Sequence, residues 1–196
     1  KPPHSSADWG WMQHVLASLK DTGRAAVVLD TGAVSRGSGN NQTNKEKEIR
    51  KWFVEHDLVE AILYLPDNLF YNTTAPGVVV FLNKKKPKSR QNKIFLVNAT
   101  AEFEKGKPKN FIPATKQKEI IELFNGWKDV EGKAKLVTKE LVIKNDYNLS
   151  PTRYIQNGNS EELKPVREIV VELETLEAES VTIDKELKKI LGKMQL

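Results

Sequence analysis

Along residues 7–20 the apolar positions Trp11, Met12, Val15, Leu16 and Leu19 recur at helical spacing, and the glycine of Asp21-Thr22-Gly23 ends the pattern. The spacing predicts a helix and a tight turn. "RAAVVLD" (Arg24–Asp30) follows as a short, continuous apolar run of the kind that forms a buried parallel strand. Residues 31–44, rich in Gly, Ser and Asn and without periodicity, read as a mobile loop at the carboxyl end of that strand. A surface helix is predicted over residues 44–57, with Asn44 as its cap and Ile49, Trp52 and Phe53 opposite a Lys/Glu face.

Residues 58–65 and Gly77–Asn83 read as strands. The connection between them is too short for a crossover helix, so they should run antiparallel. A basic turn, Lys84, Lys85, Lys86, Lys88 and Arg90, leads into a fourth strand over residues 93–99, expected at the sheet edge. A connector rich in Lys, Pro and Gly comes next, then a helix bearing Ile120, Ile121, Leu123, Phe124 and Trp127, and a short helix with Leu141, Val142 and Ile143. Residues 145–155 are irregular and aromatic-bearing.

In the tail, Ile169, Leu173, Leu176, Ser180, Ile183, Leu187, Ile190 and Met194 alternate four- and three-residue steps, and all but Ser180 are apolar. That is a heptad seam, and one helix carrying it would run on the order of 50 Å. It needs a partner surface: a second copy, another subunit or the body of the chain. The expected boundaries are 1–103, 104–158 and 159–196.

The absence of cysteine removes disulfides, thiolate nucleophiles and Cys-ligated metals, and it fits a cytoplasmic protein. No apolar run approaches the roughly 20 residues that span a bilayer. With 31 Lys+Arg against 26 Asp+Glu, the surface admits a polyanionic partner, although mixed charge of this density also describes ordinary solvation. His4, His14 and His56 are scattered with no second ligand at metal spacing, so no metal is assigned. "RGSGNN" lacks the Lys-Ser/Thr and glycine spacing of a phosphate cradle. Phe70 and Tyr71, adjacent between two strands, carry the strongest chemical signal. Either one ring lids the core, or one offers its π-face to a base taken out of its stack.

The order "SADWGWMQHVLASLKDTGRAAVVLDTGAVSRG", then "EKEIRKWFVEHDLVEAILYLPDNLFYNTTAPGVVVFLNK", resembles the modification subunit of type I restriction-modification systems, which are adenine-N6 DNA methyltransferases. The similarity covers about residues 2–155. It is carried by D-x-G-R-A-A-V-V-L at Asp21 to Leu29 and L-P-x-N-L-F-x-x-T-x-x-P at Leu65 to Pro76. The resemblance implies an α/β fold: the C-terminal half of a Rossmann-like S-adenosylmethionine-dependent methyltransferase sheet with an antiparallel hairpin, then a helical C-terminal extension.

It also settles how Lys1-Pro2-Pro3-His4 is read. The family's catalytic Asn-Pro-Pro-Phe turn needs an amide to hold the adenine amino group, and a lysine, with donors only, cannot serve. The segment instead matches a later Pro-Pro of the family, so no catalytic residue is expected in this chain. The glycine-rich S-adenosylmethionine loop is likewise expected upstream, with no cofactor-binding residue here, and the chain alone is expected to be inactive.

What the resemblance carries onto this chain is the target-base side. Phe70 falls where related enzymes stack on the flipped adenine, with Tyr71 as runner-up. Arg36 is the cation of a loop near base and DNA, and Lys84, Lys85, Lys86, Lys88 and Arg90 either touch phosphates or only solubilise an edge. Asp8 and Trp9 are read as a helix start packing beneath the site. Ile169, Leu173, Leu176, Ile183, Leu187, Ile190 and Met194 are expected to form a subunit interface. The implied partners are DNA and the specificity and restriction subunits, without a membrane. Residues 24–30 would become an apolar edge strand, so self-association is a further expectation, and a non-catalytic module docking on a specificity subunit is the alternative reading.

Overall fold

The computed structural model describes residues 2–3, 6–39 and 44–155, and, in the tail, 170–171, 173–177, 179–180, 183–185 and 187. The chain divides into two units, Lys1–Gly158 and Asn159–Leu196.

The first unit is a mixed α/β layer structure. In chain order it comprises α1 (Asp8–Ser18), β1 (Arg24–Asp30), α2 (Lys45–Glu55), β2 (Val59–Tyr64), β3 (Gly77–Asn83), β4 (Lys93–Asn98), α3 (Ala114–Gly126), β5 (Ala134–Thr138) and α4 (Lys139–Lys144), with single 3₁₀ turns at Thr31–Val34, Lys88–Arg90 and Pro151–Arg153. The five strands form one sheet in the order β1-β3-β2-β4-β5. Only β2 and β4 run parallel, and the other neighbours are antiparallel.

Period-two alternation sends side chains to two cores. Val78, Val80 and Leu82 of β3 and Ile62 of β2 face Trp9, Met12, Ile49 and Phe53 of α1 and α2, together with Leu149 and Ile155. Ala61, Leu63, Phe95 and Val97 face the opposite way, toward Ile120, Phe124 and Trp127. α2 starts as its sequence predicts, the Asn44 carboxamide oxygen accepting from Glu46 N–H at 3.0 Å and Lys47 N–H at 3.1 Å.

Three expectations are corrected. β1 is not a buried parallel strand: among the described residues its one partner is the antiparallel β3, it lies at a sheet edge, and its residues are alternately exposed, Val28 at 54%. Small apolar residues in succession read alike whether one face is covered or two. β4 is not at the edge, because β5, hidden in what reads as a connector with short helices, pairs along its outer side. Ile94, Phe95, Leu96 and Val97 are all buried, as an interior strand covered on both faces requires. Residues 31–39 are not a bare loop but a 3₁₀ turn with many ties, described below.

In the second unit the described residues are helical, and Leu173, Leu176, Ile183 and Leu187 are each at least half exposed. Ile169, Ile190 and Met194 of the seam lie outside the described residues, as does His4.

Candidate functional site

Register places two loops at one end of the sheet. Asp30, the last residue of β1, pairs with Gly77, the first of β3, so residues 31–39 after β1 and residues 66–76 before β3 leave side by side. The second loop carries the aromatic pair. Phe70 packs its ring partly into the core beneath α3 and lies over Gly77, where an added Cβ would stand 2.8 Å from the Phe70 ring. Only glycine permits that approach. Tyr71 is 84% exposed. The loop is drawn together by Asn68 N–H donating to Thr74 O at 2.9 Å, and Lys109 Nζ donates to Asn68 Oδ1 at 2.9 Å and Thr73 O at 3.1 Å.

The first loop is held from beneath. Trp9, fully buried near the start of α1, donates its indole N–H to Ala33 O at 2.7 Å and so packs under this loop. Arg36 sits among three carboxylates: it pairs with Asp8 at 3.0 Å, with Asp30 at 3.1 Å, and with the buried Glu46. Burial alone would lower the Arg36 pKa, but hydrogen bonds to Asp8 and Glu46 and the charge of Asp30 outweigh it and hold it above the ordinary value. Asp30 in turn accepts Gly32 N–H at 2.6 Å.

Beside it, Arg50 of α2 is completely buried and donates to Ala33 O, Arg36 O, Ser38 Oγ and Tyr147 O at 2.7–3.1 Å. Glu46 and Arg50 escaped the sequence reading because charged residues of an amphipathic helix were assigned to its wet face. Their spacing held the signal, since positions 46, 49, 50 and 53 form one stripe. The backbone donors Gly32 N–H and Gly39 N–H are already spent on Asp30 and Asp146. Those two donors of the glycine-bearing loop are therefore not free to cradle S-adenosylmethionine.

The basic turn stands apart from these loops. Asn83 at the far end of β3 pairs with Arg24, so residues 84–92 emerge at the opposite end of the sheet from Phe70. Lys86 is buried, donating to Asp57 at 2.6 Å and Lys93 O at 2.9 Å. Burial lowers its pKa against the pull of Asp57. Arg90 pairs with Glu60 at 3.2 Å and lies over the Trp127 ring at 3.9 Å, and Lys84 donates to Leu19 O. Lys85 and Lys88 are exposed. Most of the turn thus serves the fold. Of the histidines, His56 stacks on Trp52 at 4.2 Å, and among the described residues no His/Asp/Glu group of metal-binding size occurs.

With this architecture the comparisons agree. The model of the N-6 DNA Methylase family matches residues 1–163, and the chain belongs to that family. It is 39% identical over 194 residues to the methylase subunit of the type I restriction enzyme MjaVII of Methanocaldococcus jannaschii, covering 97% of this chain and 32% of that protein. Against the HindI methylase subunit of Haemophilus influenzae the identity is 30% over 203 residues, covering 97% and 44%. The crystal structure of the type I restriction-modification methyltransferase subunit from Streptococcus thermophilus superposes with a TM-score of 0.70 at 30% identity, over 79% of this chain and 31% of that one. These findings bear out the resemblance to type I modification subunits read from residues 2–155. The chain spans about a third of the length of the first of these relatives.

Proposed function

We propose that this chain forms the target-base side of a DNA adenine-N6 methyltransferase subunit, with a Rossmann-like sheet, acting with S-adenosylmethionine beside the specificity and restriction subunits of a type I system. The observation that carries the reading is the adjacent pair Phe70 and Tyr71, presented at the sheet end where the loops after β1 and β2 converge. A base extruded there meets a flat ring over Gly77, while the tied loop 31–39 forms the neighbouring wall. Methyl transfer replaces an N6 proton of adenine with the methyl of a sulfonium donor, and the residues that polarise the amino group are expected elsewhere in the subunit.

The test is Phe70→Ala in the full-length subunit assembled with its partners, followed by transfer of labelled methyl groups to cognate DNA. Losing a base–aromatic stack is worth about 1–3 kcal/mol, so the rate should fall about fivefold to 150-fold. An unchanged rate removes Phe70 from the base site, and a fall only with Tyr71→Ala moves the stack to the exposed ring.

The second reading, a docking module, rests on a separate observation: Leu173, Leu176, Ile183 and Leu187 expose half or more of their surface at heptad spacing. It predicts that polar substitutions at these four positions abolish co-purification with the specificity subunit and leave the first unit folded.

A further inference from the structure

Arg50 is an unusual guest for a core. It is 0% exposed, and among the described residues it makes no ion pair: its hydrogen bonds there go to Ala33 O, Arg36 O, Ser38 Oγ and Tyr147 O. Taking a cation out of water is costly, and an apolar residue of similar size would fill the same volume more cheaply. What an apolar residue lacks is reach into two chain segments at once, which the planar guanidinium fork provides. One of those segments is the loop after β1, and the other is the turn after α4.

The two segments are joined directly at two further points, and Asp146 is tied to α2 as well. Asp146 accepts the Gly39 N–H at 2.7 Å and pairs with Lys47 at 3.2 Å, and Leu149 N–H donates to Val34 O at 2.9 Å. Asp146 and Tyr147 both hold left-handed backbone angles, φ 52° and 57°. Two successive non-glycine residues in that region are strained, and they persist where surrounding contacts fix them. Here those contacts are Arg50 on Tyr147 O and Gly39 on Asp146.

We propose that Arg50 and Asp146 are positioning residues: they lock residues 33–39 and residues 145–149 into one body, which fixes the loop beside the Phe70 end in the shape that receives DNA. The inference rests on the methyltransferase reading for its functional readout. Its structural claim, the lock itself, is measured separately.

The test uses the full-length subunit assembled with its partners and cognate DNA, in three variants: Arg50→Lys, Asp146→Ala and Asp146→Asn. Lysine keeps the charge and loses the fork. Asp146→Asn keeps an acceptor for Gly39 N–H, whereas Asp146→Ala removes it, and because this side chain is 39% exposed the alanine variant should fold even if the Arg50 variant does not. The expected result is a fall of about tenfold in kcat/KM for DNA with Asp146→Ala and Arg50→Lys, with KM for S-adenosylmethionine unchanged and partial rescue by Asp146→Asn. Amide hydrogen exchange over residues 33–39 should quicken in step. Unaltered exchange overturns the lock, and quickened exchange with unaltered DNA kinetics overturns the positioning claim. A wild-type complex that transfers no methyl group removes the methyltransferase reading instead, with hydrogen exchange still deciding whether the lock exists.

Discussion

Two loops share one end of the sheet and are built on different terms. Residues 31–39 carry three glycines and the composition of a floppy linker, yet their carbonyls are gripped by a buried arginine and a buried tryptophan. Residues 66–76 bear the large apolar and aromatic side chains and two prolines, yet their side-chain ties run mostly to the half-buried Lys109 and Asn110. Composition therefore misreports rigidity. A loop is as firm as the side chains of neighbouring elements that reach its backbone, and those lie far away in sequence.

The largest effect expected from this contrast comes from Arg50→Met. The buried Ala33 O keeps Trp9, but the part-buried Arg36 O, Tyr147 O and Ser38 Oγ lose their donor, and the cost should be about 3 kcal/mol at the typical penalty for stranded acceptors. The matching change in the other loop, Lys109→Met, removes one part-buried and one exposed bond whose acceptors water can reach, and should cost about 1 kcal/mol. Urea midpoints for the two variants check the pair, and equal shifts would erase the distinction between the loops.

A smaller effect is expected at the contact between the second loop and the sheet. In Gly77→Ala the new methyl would lie 2.8 Å from the Phe70 ring, which must shift within its contacts to make room. Overpacking costs about 1–3 kcal/mol in tight cores, and a loop that yields puts the change at the low end. Fold stability should thus fall modestly while methyl transfer falls further, because the base-facing ring has moved. Parallel losses in both would mean that Phe70 is only a lid.

Much of the architecture could be read from the residues because apolar runs bounded by turn formers announce strands, as at Gly77–Asn83, and capped amphipathic stretches announce helices, as at Asn44. β5 escaped because "AKLVT" is five residues long with a lysine inside it, too short for alternation to stand out. The position of β4 depends on that missed strand and was lost with it. At the site, the aromatic pair stood out by adjacency, whereas the supports did not. Arg50 works through main-chain carbonyls, and no side-chain pattern marks a carbonyl as a partner. Arg36 was legible as a cation, but its partners Asp8, Asp30 and Glu46 come from three separate elements.

The smallest expected effect is a pH dependence confined to the first loop. Burial tends to raise the pKa of Asp30, but the charge of Arg36 and hydrogen bonds from neighbouring groups hold it below its ordinary value of 3.8. Asp146 shows the same balance, burial opposed by Gly39 N–H and Lys47. A carboxylate lowered in the folded state adds stability above its ordinary value, and that contribution is lost as pH falls through the lowered one. The window therefore opens below about pH 4 and leaves the neutral range flat. Both groups are partly exposed, so solvent screening keeps the effect to tenths of a kcal/mol. Hydrogen exchange at Gly32 and Gly39, compared between about pH 5 and pH 3 after correction for intrinsic rates, should show these amides losing protection first. Asp146→Asn should remove the pH dependence at Gly39 and leave that at Gly32, since each amide answers to its own carboxylate.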